Sequence, residues 1–307
     1  MKDFTLLKQL SAIHAPSGEE FAVRDFILNY IEEHQHSWKC RPVLHWGDGF
    51  QDCLILVFGS PRTAVFSHMD SVGFTVRYGN ELMKIGGPRL KNGTRICGRD
   101  SQGSIEALLR VDEEEDTLHA DFHRTIETGT SLVFKQDFVE TYDTVQSCFL
   151  DNRLGIWASL QLAADIEDGA IVFSAWEEHG GGSAEYLAGF MLKTYNVRQA
   201  LIADITWISD GVFAGCGCAI SLRDSGIPRR QYLNRILTIA KKSGIPYQLE
   251  VEGSGGSDGN SIQKSPYPID WCFVGAGETN VHSPEECVHK KDIESMLALY
   301  RALIKEL

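Results

Sequence analysis

Short unbroken apolar runs recur along the chain, at residues 53–59, 64–67, 170–176, 201–205 and 271–275. Runs without polar alternation are the pattern of strands buried on both faces. Between several of them apolar residues return every three or four positions, at 154–166, 229–243 and 292–307, which predicts amphipathic helices. Residues 3–35 read as two further helices separated by Ala15-Pro16-Ser17-Gly18-Glu19-Glu20. Ser17 followed three positions later by Glu20 predicts a capping box for the second of these. Strands alternating with helices in this way predict an α/β fold, a sheet covered by helices on both faces.

The texture changes between about residues 72 and 145. Short alternating strands are divided there by turn signals at Gly86-Gly87-Pro88, Lys91-Asn92-Gly93 and Ser101-Gln102-Gly103, and no helical period is visible. The simplest organisation is a small β domain, 73–145, inserted into an α/β domain made of 1–72 and 146–307. The acidic run at 112–116 reads as a solvated loop.

Composition narrows the function classes. The chain is 43% hydrophobic and 23% charged, as ordinary globular proteins are. Its net charge of -13 argues against nucleic acid as a partner, since phosphate binding needs surplus Lys and Arg. A site that gathers divalent cations would account for part of that acidity. No run approaches the roughly 20 apolar residues of a membrane helix. Met1-Lys2-Asp3-Phe4 leads into no apolar segment, so no signal peptide is expected. The eight cysteines are scattered, form no CxxC pair and fall mostly in apolar segments. They read as small buried thiols, and a cytoplasmic location is expected.

Metal-ligand residue types stand at the ends of the apolar runs. His68-Met69-Asp70 follows 64–67, Glu177-Glu178 follows 170–176, and Asp204 closes 201–203. Each alone has a bland reading, a surface pair or a cap. Adjacent acids ending a buried strand are costly unless something balances them, and open α/β sheets gather their sites at strand carboxyl ends. Asp151 begins a predicted helix, where an N-cap is the plain alternative. His282 follows the last strand in a polar turn. His119 and His123, four apart, read as surface residues of the insert. The segment 253–259 lacks the Lys-Ser/Thr of a phosphate loop and reads as a loop lining a cleft.

Taken together, His68-x-Asp70, Asp151-Asn152-Arg153-x-Gly155, Glu177-Glu178-x-Gly180, Asp204 and His282-Ser283-Pro284 resemble the M42 family of dinuclear metallo-aminopeptidases, in order and context. Ser17-Gly18-Glu19-Glu20 and Gly255-Gly256-Ser257-Asp258 extend the resemblance along the chain. It implies a zinc-peptidase-like fold, with a mixed sheet covered by helices and a small inserted β domain. It also implies that Asp151 bridges two divalent ions, one held with His68 and Asp204, the other with Glu178 and His282. Glu177 would be the general base and Asp70 would orient His68. The family commonly has Asp where this chain has Asn152, which is not a ligand.

An all His/Asp/Glu donor set suits Zn or Co, and also Mn. Two ions about 3.5–4 Å apart can activate a bridging water for attack on a peptide carbonyl. The implied function is removal of amino-terminal residues from short peptides. The insert resembles the family's dimerisation domain, which implies a homo-oligomer, up to a dodecamer, although here it is short. A related dinuclear deacylase or carboxypeptidase, a glucanase-labelled relative and an inactive scaffold remain as rivals. Adjacent Glu177 and Glu178 are poorly placed to flank a glycosidic bond.

Overall fold

The computed structural model of the chain describes residues 3–307, and an 11-stranded mixed sheet forms its centre. Four neighbouring strands, Gly169–Ser174, Ala64–His68, Gln199–Trp207 and Asp270–Thr279, run parallel. On one side the antiparallel strands Gln51–Phe58 and Val43–Gly47 extend the sheet. On the other lie Glu286–His289, Thr144–Ser147 and Val139–Glu140. Cys218–Arg223 pairs antiparallel to Asp270–Thr279, and Tyr247–Val251 pairs parallel beside it.

The unbroken apolar runs are explained by burial on both faces. Every residue of Ala64–His68 and of Gly169–Ser174 is buried. Val65, Ile171 and Leu201 face a core built with helices Thr5–Ser11, Phe21–His34, Leu150–Ala163, Arg230–Ser243 and Lys290–Glu306. Their neighbours Ala64, Phe66, Val172 and Ile202 face the opposite core, under helices Ala184–Tyr195 and Asp258–Lys264.

A second sheet of six antiparallel strands lies between Gly73 and Phe134, with its own core around Phe74, Ile96, Leu109 and Phe134. Its strand Gly103–Asp112 alternates exposed and buried positions, as a sheet with one wet face requires. The sequence reading carried the insert to 145. The chain instead rejoins the large sheet at Val139–Glu140, a strand too short to show which sheet it joins.

Two local expectations need correction. Glu20 is the N-cap residue of helix Phe21–His34, but no side-chain cap bond forms there, so Ser17 and Glu20 make no capping box. Asp204 does not end its strand, which continues to Trp207. All eight cysteines are free thiols.

Candidate metal centre

The parallel order of the central strands brings their chemistry together. His68 ends Ala64–His68, in register with Ser174 of the next strand, whose following turn carries Glu177 and Glu178. Asp204 lies on the other neighbouring strand. Asp151 sits in the first turn of helix Leu150–Ala163, where its backbone departs from helical geometry and the Asp151–Asn152 peptide is cis. His282 occupies the turn after Asp270–Thr279, with a left-handed φ of 62°.

These side chains form two groups that share Asp151. His68 Nε2 lies 3.1 Å from Asp151 Oδ1 and 3.6 Å from Asp204 Oδ1. His282 Nε2 lies 3.2 Å from Asp151 Oδ2 and 3.1 Å from Glu178 Oε2. Within each group the donor atoms all fall within 4.8 Å of one another. Glu177 belongs to neither group, yet it lines the same cavity of about 210 Å³. Neither His119 nor His123 joins a group.

Asp70 is buried behind the groups and meets both His68 and the turn of Glu177 and Glu178. Its Oδ1 stands 3.3 Å from His68 Nδ1, near enough for charge pairing but poorly aligned for a hydrogen bond. Both its oxygens also accept backbone N–H groups, from Glu177 and Glu178, each at 3.0 Å. On the other side His282 Nδ1 meets the Gly87 carbonyl at 3.2 Å. A carbonyl only accepts, so Nδ1 carries a proton and Nε2 is the nitrogen left to face the acids or a cation. Gly87 belongs to the insert, and Arg89 N donates to the His282 carbonyl at 2.8 Å. The insert thus builds one wall of the site. A backbone carbonyl leaves no trace in residue type, so sequence reasoning missed it.

Two other supports come from helix Leu150–Ala163. Asn152 Nδ2 donates to the Ala203 carbonyl at 2.8 Å while its Oδ1 accepts from Gly155 N at 2.9 Å, tying the helix start to the strand of Asp204. An ionised Asp could not donate the first bond. Arg153, fully buried, donates to the carbonyls of Leu10, Met69 and Ile13, which fixes the chain between His68 and Asp70.

The electrostatics mark an excess of buried acid. Burial pushes Glu178 up to about 7, helped by the Asp151 charge, and pushes Asp204 up to about 6. Burial also drives Glu177 well above the usual carboxylate range, with Glu178 and Asp204 adding to it against the pull of His68. For His282 burial opposes protonation, but its bonds to Asp151 and Glu178 prevail and hold it up at about 12. Burial acts to raise Asp151, yet the bonds from His282 and His68 hold it below the ordinary range. The imidazoles are therefore made to serve as cations by acids that face no other. Glu178 Oε1 is buried with no hydrogen-bond partner. Cations placed among these oxygens and ring nitrogens would satisfy both conditions, so the residues present fit a pair of divalent ions.

Comparison with known proteins bears on this geometry. A family model described as M42 glutamyl aminopeptidase matches residues 99–299. A candidate aminopeptidase of Acetivibrio thermocellus is 26% identical over 333 aligned residues, covering 96% of this chain and 96% of its own. An aminopeptidase from the archaeon Desulfurococcus kamchatkensis has a TM-score of 0.86 at 23% identity, covering 98% of this chain and 94% of that one. The TET1 peptidase of Pyrococcus horikoshii, described as able to assemble into a tetrahedron or a large octahedral shell, has a TM-score of 0.83 at 23% identity. That likeness covers 98% of this chain and 99% of the other.

Proposed function

The chain belongs to the M42 glutamyl aminopeptidase family, and from that premise we propose that its cleft removes amino-terminal residues from short peptides with two divalent ions. His68, Asp151 and Asp204 would hold one ion, and Asp151, Glu178 and His282 the other. The observation that carries this reading is the sharing of Asp151, each of whose oxygens faces a different histidine at 3.1 and 3.2 Å. Zn, Co and Mn all suit such a donor set. When bound, such a pair supplies Lewis acidity and an activated water.

The chain's own residues do the rest. The Gly87 carbonyl accepts from His282 Nδ1 and Asp70 pairs by charge with His68 Nδ1, which leaves both Nε2 atoms to the cavity. Glu177, outside both donor groups, takes the proton of the attacking water and returns it to the departing amine. Ile205, Phe273 and Val281 give the cavity an apolar side.

We further propose that the chain is a homo-oligomer, up to a dodecamer, in which the insert serves as an oligomerisation domain. The Pyrococcus relative that can assemble into a tetrahedron supports this. A cytoplasmic location is proposed from the eight free thiols. Among the described residues no helix is long and apolar enough to cross a membrane.

A pair of peptides, one with a free amino terminus and one acetylated, tests the reading by mass spectrometry over time. The free peptide should shorten one residue at a time from its amino end, and the acetylated one should persist. Release of acetate, or trimming from the carboxyl end, would replace the aminopeptidase reading with a deacylase or a carboxypeptidase.

A further inference from the structure

We propose that Glu20 and Ser17 are positioning residues for the turn that carries Glu177 and Glu178, an inference whose catalytic consequence rests on the aminopeptidase reading above. Three consecutive backbone N–H groups of that turn end on two buried carboxylates. Trp176 N donates to Glu20 Oε1 at 2.9 Å, Glu177 N to Asp70 Oδ1 at 3.0 Å, and Glu178 N to Asp70 Oδ2 at 3.0 Å. Glu20 Oε2 accepts from Gly18 N at 3.0 Å, and Ser17 Oγ donates to Asp70 Oδ2 at 2.6 Å. Glu20 and Asp70 are both 0% exposed.

The conformation being held is an unusual one. Trp176 has a φ of 61°, left-handed geometry that a bulky side chain seldom adopts and that persists only when its surroundings impose it. That residue turns the chain out of strand Gly169–Ser174, and the next two residues line the cavity. Segment 15–20 is itself strapped to the strand end that carries His68. Ser71 N donates to the Ala15 carbonyl at 3.0 Å and Ser17 N to the Ser71 carbonyl at 3.3 Å. Glu20 thus links the two halves of the centre, the His68–Asp70 segment and the Glu177–Glu178 turn.

Residue type matters at this point. A carboxylate accepts on both oxygens, so it can satisfy Trp176 N and Gly18 N together. A glutamine would turn its own N–H₂ toward one of them. An alanine would leave both without an acceptor in a place water does not reach. A residue that merely capped the next helix would accept from helix N–H groups, and Glu20 accepts from none of them.

The test compares wild type with Glu20→Ala, Glu20→Gln and Ser17→Ala, all reconstituted with Zn, Co or Mn. Readouts are metal content, kcat and KM on an aminoacyl 4-nitroanilide, and amide hydrogen exchange across 174–180. Glu20→Ala should lower kcat about 10–100-fold, the usual cost of losing a group that orients a metal site, with KM and metal content held. Glu20→Gln should fall between it and wild type, and Ser17→Ala should lose least. Exchange should quicken at 176–178 in Glu20→Ala and stay unchanged in strand 199–207. A kcat within about twofold of wild type, or exchange that quickens evenly through the sheet, overturns the assignment. Should Glu20→Ala fail to fold, Glu20→Gln and Ser17→Ala decide by the same two readouts. Wild type without aminopeptidase activity would remove the function reading, and exchange alone would still decide whether Glu20 holds the turn.

Discussion

Replacing Glu177 by glutamine separates proton transfer from every other property of the centre. The side chain keeps its length and shape, and the backbone N–H of residue 177 keeps its 3.0 Å bond to Asp70. Glu177 belongs to neither donor group, so metal content should not change. A general acid–base contributes about 10²–10⁴-fold, so kcat should fall by that factor, equivalent to about 3–5 kcal/mol of transition-state stabilisation. KM should hold, because no contact proposed to hold substrate or metal is lost. Stability should move in the opposite direction from activity. Burial and the neighbouring acids already penalise the charge of Glu177, and a neutral isostere removes that penalty. The metal-free variant should therefore melt at a higher temperature than metal-free wild type at pH 8. The assay is initial-rate kinetics on an aminoacyl 4-nitroanilide, with metal analysis and thermal unfolding on the same preparation. Retention of kcat within about tenfold, less than such a group supplies, would move the base elsewhere. A loss that tracks a loss of metal would make Glu177 a ligand instead.

Three other outcomes follow from the same geometry. Glu178 and Asp204, with ordinary values of 4.5 and 3.8, are raised to about 7 and about 6, so the metal-free folded chain binds more protons than the unfolded chain between those limits. Its stability should fall as pH rises from about 4 to about 7 in denaturant titrations, whereas added Zn should stabilise more strongly as pH rises; a metal-free stability that climbs over this range contradicts the reading. Gly155 packs where a Cβ would strike the Ala203 carbonyl and the Asn152 side chain, so Gly155→Ala should cost about 1–3 kcal/mol in urea unfolding. A change below about 0.5 kcal/mol would show that helix and strand can separate freely there. Asp224, Glu250 and Glu252 line the same cavity as the proposed ligands, so glutamyl 4-nitroanilide should be cleaved more slowly than the leucyl and lysyl substrates, despite the family's name. A like-charge contact at an effective dielectric of about 20 costs on the order of 1–2 kcal/mol, about tenfold in kcat/KM. Fastest turnover of the glutamyl substrate would contradict this.

The parts legible in sequence were those that burial writes into residue type. Strands Ala64–His68, Gly169–Ser174 and Gln199–Trp207 are enclosed on both faces, so their apolar runs are unbroken and the acids and histidine after them stand out. Tyr247–Val251 is half exposed and carries no such run, so nothing in the residue pattern marks it as a strand. Helix Asp258–Lys264 starts inside a glycine-rich stretch, and only the Ser257–Asn260 capping box announces it. Ser17 and Glu20 showed the spacing of that same motif, but tertiary contacts claimed both side chains for the centre. Asp70 was legible as a partner of His68, whereas its grip on two backbone amides was not, because main-chain donors are the same at every position. The wall supplied by Gly87 was hidden for that reason also.

Metal titration of wild type beside three variants tests the central claim most directly. If Asp151 serves both ions, the wild-type chain should bind two divalent ions by calorimetry. His68→Ala and His282→Ala should each keep one, and Asp151→Asn should weaken both. A wild-type stoichiometry that stays at one after full reconstitution, or an Asp151→Asn chain that still binds two ions with unchanged affinity, would contradict it.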